Sequence, residues 1–306
     1  MSASATLTAS PCFMTLDCFG FMALAGARSV DFLQGQLTCD LRQASATHAV
    51  AGAWCTPKGR VICSLMAWPR QADSVLLRLH ADLLQATAEQ LAKYAALSRV
   101  RITPAPVHCF GLLCPIDTLL QPMGLTAPLA AGDIQPVADG ALLRCDATGE
   151  RHELWVQQEA ATEWRDRLRA ALPEGNMNDW RLALVRAGVV EVEAATRELF
   201  LPQMLGYDQD ERVSFRKGCY TGQEIIARTH YKGGVKRHLH RLIGRGEPPP
   251  PGSALERDGQ SAGTVVGSAC SGEGRCDILA VLSDELASAG AHVVLLAGGS
   301  EFRLPA

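Results

Sequence analysis

Apolar residues form runs of strand length in the early part of the chain. Residues 49–56 and 61–68 are two such runs, and the segment 57–60 between them has Pro and Gly at turn positions. A third run follows at residues 74–80, and residues 29–33 have the pattern of a short helix. The pattern therefore predicts a β-hairpin that continues into a further strand.

Helical spacing of apolar residues appears twice, each time after a predicted strand. Asp82 is the expected N-cap of the first helix, whose apolar face consists of Leu84, Ala88, Leu91 and Ala95. The second strand is expected at residues 153–157, and the helix after it has the apolar face Trp164, Leu168, Ala171 and Leu172. Two such strand–helix units indicate two small α+β subdomains.

The remaining segments complete the predicted domain organisation. Residues 104–140 are rich in Pro, Gly and Ala and are expected to form loops and short strands, and a helix is predicted over 178–188, with Asn178 or Asp179 as its cap and Gly188 at its end. The sequence PPPPG at 248–252 excludes a helix or a central strand there. Short apolar runs then predict a small antiparallel barrel or sandwich, at 264–267, 278–282, 292–296 and 302–304. We expect an α+β domain over 1–240 and a β-domain over 241–306.

Composition narrows the class of protein. The chain has 306 residues, 47% hydrophobic and 20% charged, which is ordinary for a soluble globular protein. A net charge of −3 argues against general binding to nucleic acid or membrane surfaces. Eleven cysteines without a CxxC pair indicate mostly small buried residues in a reducing cytosol rather than a zinc site. The N-terminus does not resemble a signal peptide, so we expect a cytoplasmic protein.

The segment KGCYTGQE at 217–224 is the strongest local signal for chemistry. Thr221 and Glu224 have the spacing of a capping box, with Tyr220 and Ile225 as a hydrophobic staple, and they predict a helix from Gln223 to about Tyr231. Cys219 would then lie just before a helix N-terminus and beside two cations, which favours the thiolate. The alternative is a structural cysteine in a turn.

A concentration of positive charge surrounds this segment. Residues 212–241 contain eight Lys or Arg and one acid, so this stretch carries +7 and the rest of the chain −10. Such a site suits an anionic small molecule or one phosphate-bearing partner, although a solvated surface is the alternative. His238 and His240 would share one strand face, but without a third ligand we predict no metal site.

Several motifs resemble one known family. KGCYTGQEIIARTHYKGGVKR is similar to the signature of the YgfZ-type folate-binding proteins, and VDFLQGQLTCDL, TPKGRVICSL, WRLALVRAGV and LFLPQMLGYD occur in that family's order. These proteins are relatives of the glycine-cleavage T-protein, an aminomethyltransferase. The resemblance implies ferredoxin-like subdomains around a central cavity and a C-terminal β-barrel. It further implies tetrahydrofolate or a derivative as a ligand, and a role in assembling or maintaining iron–sulfur enzymes, including one that methylthiolates tRNA.

The chain also departs from the T-protein at acidic positions. Cys63 and Ser64 stand where the T-protein has an aspartate pair, and Arg186 stands where it has a glutamate. We therefore expect an accessory protein that is not a usual aminomethyltransferase, with folate and iron–sulfur proteins as partners. Cys219 is the expected functional thiol, and the expected folate-binding residues are Arg186, Lys217, Tyr220, Gln223, Glu224 and Arg228.

Two other functions remain open. A true one-carbon transferase would need a carboxylate, for which the candidates are Asp40, Glu191 and Glu193. A thiol-bearing binding module without chemistry is the other possibility.

Overall fold

The computed structural model describes residues 10–124, 129–290 and 294–305. The N-terminal residues 1–9, on which the absence of a signal peptide was argued, lie outside the described residues. The described chain forms two compact units, one containing 10–35, 39–51 and most of 65–180, and the other 36–38, 52–64 and most of 181–305. Within the described ranges, no helix has the length and apolar character needed to cross a membrane.

The elements are numbered in chain order. The strands are β1 (Cys12–Thr15), β2 (Phe19–Ala25), β3 (Val50–Cys55), β4 (Val61–Gln71), β5 (Ser74–His80), β6 (Arg101–Pro104), β7 (Val107–Leu113), β8 (Ile134–Val137), β9 (Gly140–Arg144), β10 (Arg151–Gln157), β11 (Arg237–Arg245), β12 (Ala254–Arg257), β13 (Gln260–Gly272), β14 (Arg275–Ser283), β15 (Leu295–Ala297) and β16 (Ser300–Arg303). The helices are α1 (Ser29–Gln34), α2 (Ala81–Ala95), α3 (Asp117–Met123), α4 (Ala161–Ala171), α5 (Met177–Ala187), α6 (Gln223–Lys232) and α7 (Asp284–Ser288).

One antiparallel sheet has the strand order β3-β4-β5-β2-β6. The predicted hairpin is confirmed, because Thr56 N–H donates to the Arg60 carbonyl (2.8 Å) at the turn between β3 and β4. Helix α2 is also confirmed, but Asp82 is not its cap. The helix begins at Ala81 after His80, and the Asp82 carboxylate is instead paired with His80 Nδ1 at 2.6 Å.

The other sheet of the first unit has the order β1-β7-β10-β9-β8. The predicted strand at 153–157 lies in β10, and the predicted helix after it is α4, whose Trp164 and Leu168 are buried in the core of this unit. The expectation of loops and short strands over 104–140 missed α3 and the interior position of β7, between β1 and β10. Pro and Gly nearby hid the apolar run of β7, and residues 125–128 of this segment lie outside the described residues.

The N-cap of helix α5 differs from the one predicted from the sequence. The helix begins at Met177, and the side chain of Asn176 accepts a hydrogen bond from Asn178 N–H (2.8 Å). The Asp179 carboxylate accepts one from Asn176 N–H (2.8 Å), so that the two side chains cap the helix reciprocally. Asn176 is therefore the N-cap residue, and Asp179 takes part in the cap from the third helical position rather than as the N-cap. Gly188 follows the helix with φ +68°, as predicted for its end.

The C-terminal strands form a closed barrel in the order β11-β14-β13-β12-β15-β16, with antiparallel pairs. Its core is apolar and includes Leu242, Val265 and Phe302. The barrel confirms the predicted β-rich C-terminus, and together with the sheets and helices it confirms the α+β class. Of the run expected at 292–296, residues 292 and 293 lie outside the described residues, and β15 covers the end of the run. The barrel starts at Arg237, so the predicted boundary at 240/241 lies inside β11.

Candidate functional site

The signature loop, residues 212–222, is attached to a short segment far away in sequence, Gln36–Thr38. Thr38 Oγ1 donates to the Arg212 carbonyl (2.6 Å), and Ser214 N–H donates to the Thr38 carbonyl (2.9 Å). Thr38 Oγ1 also accepts from Ala53 N–H of β3 (2.9 Å). Residues 36–38 of the N-terminal motif, Ala53 of the hairpin and the signature loop, which are far apart in sequence, therefore meet in the second unit.

Lys217 and Tyr220 are buried anchors of this loop. Lys217 Nζ donates to the Leu37 carbonyl (2.8 Å) and lies 5.1 Å from the centre of the Tyr220 ring. The ammonium thus contributes a charge-assisted hydrogen bond and a cation–π contact to the loop itself. Whether Lys217 also contacts a ligand stays a prediction.

The start of α6 corrects the predicted capping box. The helix begins at Gln223, as predicted, but its N-cap is Gly222 in a left-handed conformation (φ 84°), without a side-chain cap. The Thr221 hydroxyl lies 3.4 Å from Gln36 Oε1 instead, and Glu224 is exposed. Tyr220 precedes the N-cap by two positions rather than one, so the predicted staple is also wrong.

The surroundings of Gly222 explain why the N-cap of α6 is a glycine. A Cβ at this position would lie 2.5 Å from the Thr56 carbonyl oxygen and 3.2 Å from Gly59 Cα. The loop therefore sits directly on the backbone of the β3–β4 turn, and only a residue without a side chain permits both the approach and the positive φ.

Cys219 is exposed, as is Gly218 before it, whereas Lys217 and Tyr220 on either side are buried. The backbone is thus held at both ends and presents the thiol to solvent. Of the eleven cysteines, all of them in described positions, only Cys219 and Cys270 are exposed. This accessibility is what a functional thiol needs, and it disfavours a buried structural cysteine.

The other predicted site residues lie in two places. Gln223, Glu224 and Arg228 are on α6, where Glu224 and Arg228 are exposed and four residues apart, so they share a helix face. Arg186 lies near the end of α5, with its Nε 3.8 Å from Asp277 of the barrel. The structure joins Lys217 and Tyr220 directly, and it places Arg186 beside a buried acid that the sequence analysis did not select.

The candidate carboxylates differ in their surroundings. Asp40 accepts hydrogen bonds from Gln34 Nε2 (2.7 Å) and Arg42 N–H (3.2 Å) and caps a 3-10 turn. Glu193 holds the N-cap position of another 3-10 turn. Glu191, by contrast, accepts from the Ser64 hydroxyl (2.8 Å), which in turn accepts from Val192 N–H (2.9 Å). Ser64, for which the family resemblance implied an acid in the T-protein, therefore hydrogen-bonds to one of the three candidate carboxylates.

Tyr207 and Arg212 were not selected from the sequence. The Tyr207 hydroxyl is buried and donates to the Val190 carbonyl (2.9 Å), and burial raises the pKa of Tyr207. The Arg212 guanidinium stacks 4.8 Å above the Tyr207 ring and pairs with Asp210 at 3.0 Å. Desolvation raises the pKa of the Asp210 carboxyl. In the sequence, only the motif LGYD indicated this group of Tyr207, Asp210 and Arg212, because these residues follow no helical or strand periodicity.

A cavity of about 250 Å³ adjoins this group and is lined in part by Tyr207, Asp210, Arg212, His238 and Leu239. It is smaller than the roughly 300–1,000 Å³ typical of ligand pockets. His238 Nδ1 is paired with Asp284 at 2.6 Å. In the part of the chain that the structure describes, neither His238 nor His240 belongs to a group of three metal-ligating side chains.

Comparison with known proteins finds relatives that cover most of the chain. The tRNA-modifying protein YgfZ of Yersinia pseudotuberculosis serotype O:1b (strain IP 31758) is 30% identical over 282 residues, which cover 90% of this chain and 85% of that protein. The chain belongs to the YgfZ family. YgfZ of Shigella sonnei (strain Ss046) is 28% identical over 280 residues, with coverage of 89% and 86%. No family model matches the chain.

The fold of this YgfZ-family chain also matches a solved structure. The glycine cleavage system aminomethyltransferase T from Bartonella henselae superposes with a TM-score of 0.79, covering 97% of this chain and 86% of that one. The two sequences are 16% identical, so the likeness shows the fold alone. The T-protein-like fold implied by the sequence motifs is confirmed.

Proposed function

We propose that this protein is a folate-binding accessory factor that supports the assembly or maintenance of iron–sulfur enzymes, and through them the modification of tRNA. Cys219 is its functional thiol. The observation that carries the proposal is the presentation of Cys219 between two buried anchors in a stretch of charge +7. The name of the relatives, tRNA-modifying protein, supports the connection to tRNA.

We propose that Arg186 contributes to binding the folate. The Arg186 guanidinium makes no hydrogen bond within the described chain, and its side chain is 26% exposed, so it can bind an anionic group. The cavity beside Tyr207 would take only part of a folate, because its volume is about 250 Å³. Lys217, Tyr220, Gln223, Glu224 and Arg228 are proposed to order the loop around Cys219 and to supply charge.

Iron–sulfur client or assembly proteins are the proposed partners, in the cytoplasm. We propose no direct contact with nucleic acid or a membrane, because outside the basic stretch the chain carries −10. Tetrahydrofolate, when bound, would supply a one-carbon carrier or a structural ligand. Cys219 would exchange with a disulfide of a partner: its thiolate forms the mixed disulfide while the partner's S–S bond breaks and the partner's other sulfur leaves as a thiolate.

Calorimetry with tetrahydrofolate tests the folate half of the proposal. Saturable binding with a dissociation constant in the micromolar range is expected. If a titration to millimolar tetrahydrofolate released no heat, folate binding would be refuted. A thiol-bearing binding module would then be the best description of the protein.

The second candidate is a one-carbon transferase, and the contact between Ser64 and Glu191 favours it. A buried serine bonded to a carboxylate could position a proton acceptor near a substrate. The test is formation of methylenetetrahydrofolate from an aminomethyl donor, with Glu191→Gln as the matched variant. No turnover at saturating folate would eliminate this function.

A further inference from the structure

Three aromatic side chains, Phe215, His230 and Tyr231, form a cluster at the surface of the second unit. Phe215 of the signature loop stacks on His230 of α6, with ring centres 3.8 Å apart and ring planes at 17°. Tyr231 lies edge-on to both, 6.0 Å from the Phe215 ring and 4.8 Å from the His230 ring. Tyr231 is 67% exposed, more than any other large apolar side chain described in this unit. The aromatic cluster therefore offers ring surface to solvent.

Helix α6 buries few of its own side chains. Of its ten residues, Ile226 alone is buried. Short helices in proteins owe most of their stability to the packing of an apolar face, and α6 has little of this packing. Ile225, Arg228 and Tyr231 are all exposed and follow one another at intervals of three residues, so they are neighbours on one face of the helix. The described chain leaves this face uncovered.

The charge of this region is positive and lacks acidic partners. Glu224, in the first turn of α6, is the one acid between residues 212 and 241. Five exposed cations lie on the segments that carry the cluster or directly after them, and none forms an ion pair within the described residues: Arg216, Arg228, Lys232, Lys236 and Arg237. A surface of this kind is complementary to a negatively charged partner.

The arrangement of the rings favours a protein segment over a nucleic acid. Single-stranded nucleic acids are held by open ring faces on which successive bases stack. Phe215 and His230 each cover one face of the other ring, and Tyr231 is nearly perpendicular to both, at 72° and 84°. A long polyanion would also meet the charge of −10 on the rest of the chain, whereas a short acidic segment would meet only the basic stretch.

We propose that the aromatic cluster and the exposed face of α6 dock a short acidic segment of a partner protein, whose apolar side chains pack on Ile225 and Tyr231. Phe215 and Cys219 are four residues apart, so at most about 14 Å of chain separates this docking surface from the thiol. The proposal rests on the proposed function in one respect, since the docked partner would be the protein on which Cys219 acts.

The experiment measures binding to the full-length protein by fluorescence anisotropy with three labelled probes. The first is an acidic peptide of about 15 residues, with glutamates and with leucines at helical spacing, which is long enough to cover α6. The second has glutamine in place of every glutamate, and the third is a single-stranded oligouridylate. We expect the acidic peptide to bind at low salt with a dissociation constant on the order of 100 µM, and the uncharged peptide to bind at least about tenfold more weakly.

Two variants on α6 and two matched controls locate the binding. Tyr231→Ala removes the exposed ring, and Lys232→Glu reverses the charge beside it. Tyr94→Ala and Lys93→Glu are the controls, because they change the same two residue types at exposed positions of α2 in the first unit. We expect Tyr231→Ala to weaken the acidic peptide about fivefold or more, Lys232→Glu about threefold or more, and each control less than about twofold.

The outcomes separate the docking surface from the role of the thiol. Wild-type affinity in both Tyr231→Ala and Lys232→Glu overturns the docking surface, whatever Cys219 does. No binding of the acidic peptide at millimolar concentration, or equal binding of the uncharged peptide, overturns the acidic partner. An oligouridylate that binds more tightly than the acidic peptide and is weakened by Tyr231→Ala overturns the protein segment in favour of a nucleic acid. Cys219→Ala should bind the peptide like the wild type, so a failure of the proposed thiol function leaves the docking surface in place.

Discussion

Cys109 lies on β7, an interior strand of the first unit, and Cys114 directly follows it, whereas Cys219 lies in an irregular loop of the second unit. Burial raises the pKa of the Cys114 thiol to about 12. It also raises the pKa of Cys109, and the negative charge of Glu153 adds to the effect. Cys219 is exposed, and the chain on each side of it is anchored by a buried side chain.

The difference shows that the backbone, rather than the residue type, decides what a cysteine does here. In the sheet the thiol is a small apolar residue held in its neutral form. In the signature loop the buried anchors Lys217 and Tyr220 fix the chain, so that the thiol between them is ordered and accessible at once. Four predictions test this contrast, beginning with the largest effect.

The rate of alkylation should differ between the exposed and the buried thiols. With iodoacetamide under native conditions, we expect Cys219 and Cys270 to react fastest, and Cys109 and Cys114 about 10⁴-fold more slowly. Their reaction requires opening of the unit, which costs at least about 5 kcal/mol. Peptide mapping by mass spectrometry measures each rate. Alkylation of Cys109 as fast as Cys219 would contradict the contrast.

Gly222→Ala should disturb the loop most among single substitutions. The new Cβ would lie 2.5 Å from the Thr56 carbonyl oxygen, and the residue would keep φ near 84°. We expect the free energy of unfolding to fall by about 3 kcal/mol. Gly218→Ala is the matched control, because its Cβ would meet nothing within 4 Å, and its effect should stay within about 0.5 kcal/mol. Equal losses of unfolding free energy for the two variants, measured by urea denaturation, would refute the close approach of Gly222 to the Thr56 carbonyl.

His152 should make the first unit sensitive to acid. Burial lowers the pKa of His152 to about 4, from an ordinary value of 6.5. Between these two values the unfolded chain binds a proton that the folded chain does not. The free energy of unfolding should therefore be fully retained above pH 6.5 and fall by about 1.4 kcal/mol per pH unit as the pH drops toward 4, up to roughly 3 kcal/mol.

His152→Leu should remove this part of the acid dependence. The measurement is the difference in urea stability between wild type and variant at pH 7 and at pH 4.5. A difference that does not change with pH would show that His152 titrates normally in the folded protein.

Lys217→Met should have the smallest effect of the four. It keeps the aliphatic stem but removes the hydrogen bond to the Leu37 carbonyl and the contact with the Tyr220 ring. We expect a loss of about 2 kcal/mol in the free energy of unfolding. Lys232→Met, at an exposed position of α6, serves as the control. A loss no larger than that of the control would mean that Lys217 does not anchor the loop.

The parts of the fold that local patterns determine could be predicted from sequence. The hairpin over β3 and β4, helix α2 and the first residue of α6 follow from periodicity and turn residues. The cap of α6 could not be predicted, because the left-handed Gly222 is imposed by contact with Thr56, more than 160 positions away in sequence.

The site was predicted only as far as its residues are neighbours in sequence. Cys219 was found because lysine, glycine and tyrosine surround it in the chain. The segment Gln36–Thr38 and the acid Asp277 were missed, because their roles depend on strand pairing and helix packing that bring distant residues together. Arg186 was selected from the family resemblance, and its lack of hydrogen bonds was visible only in the structure.

Genetic replacement tests the role of Cys219 most directly. A strain that lacks this protein would receive the wild type, Cys219→Ala or Cys270→Ala, the last being the other exposed cysteine. Iron–sulfur enzyme activity and tRNA methylthiolation are measured in each strain, together with the amount of each protein. We expect Cys270→Ala to restore both, and Cys219→Ala to restore neither at equal abundance. Full restoration by Cys219→Ala would contradict a functional role of this thiol.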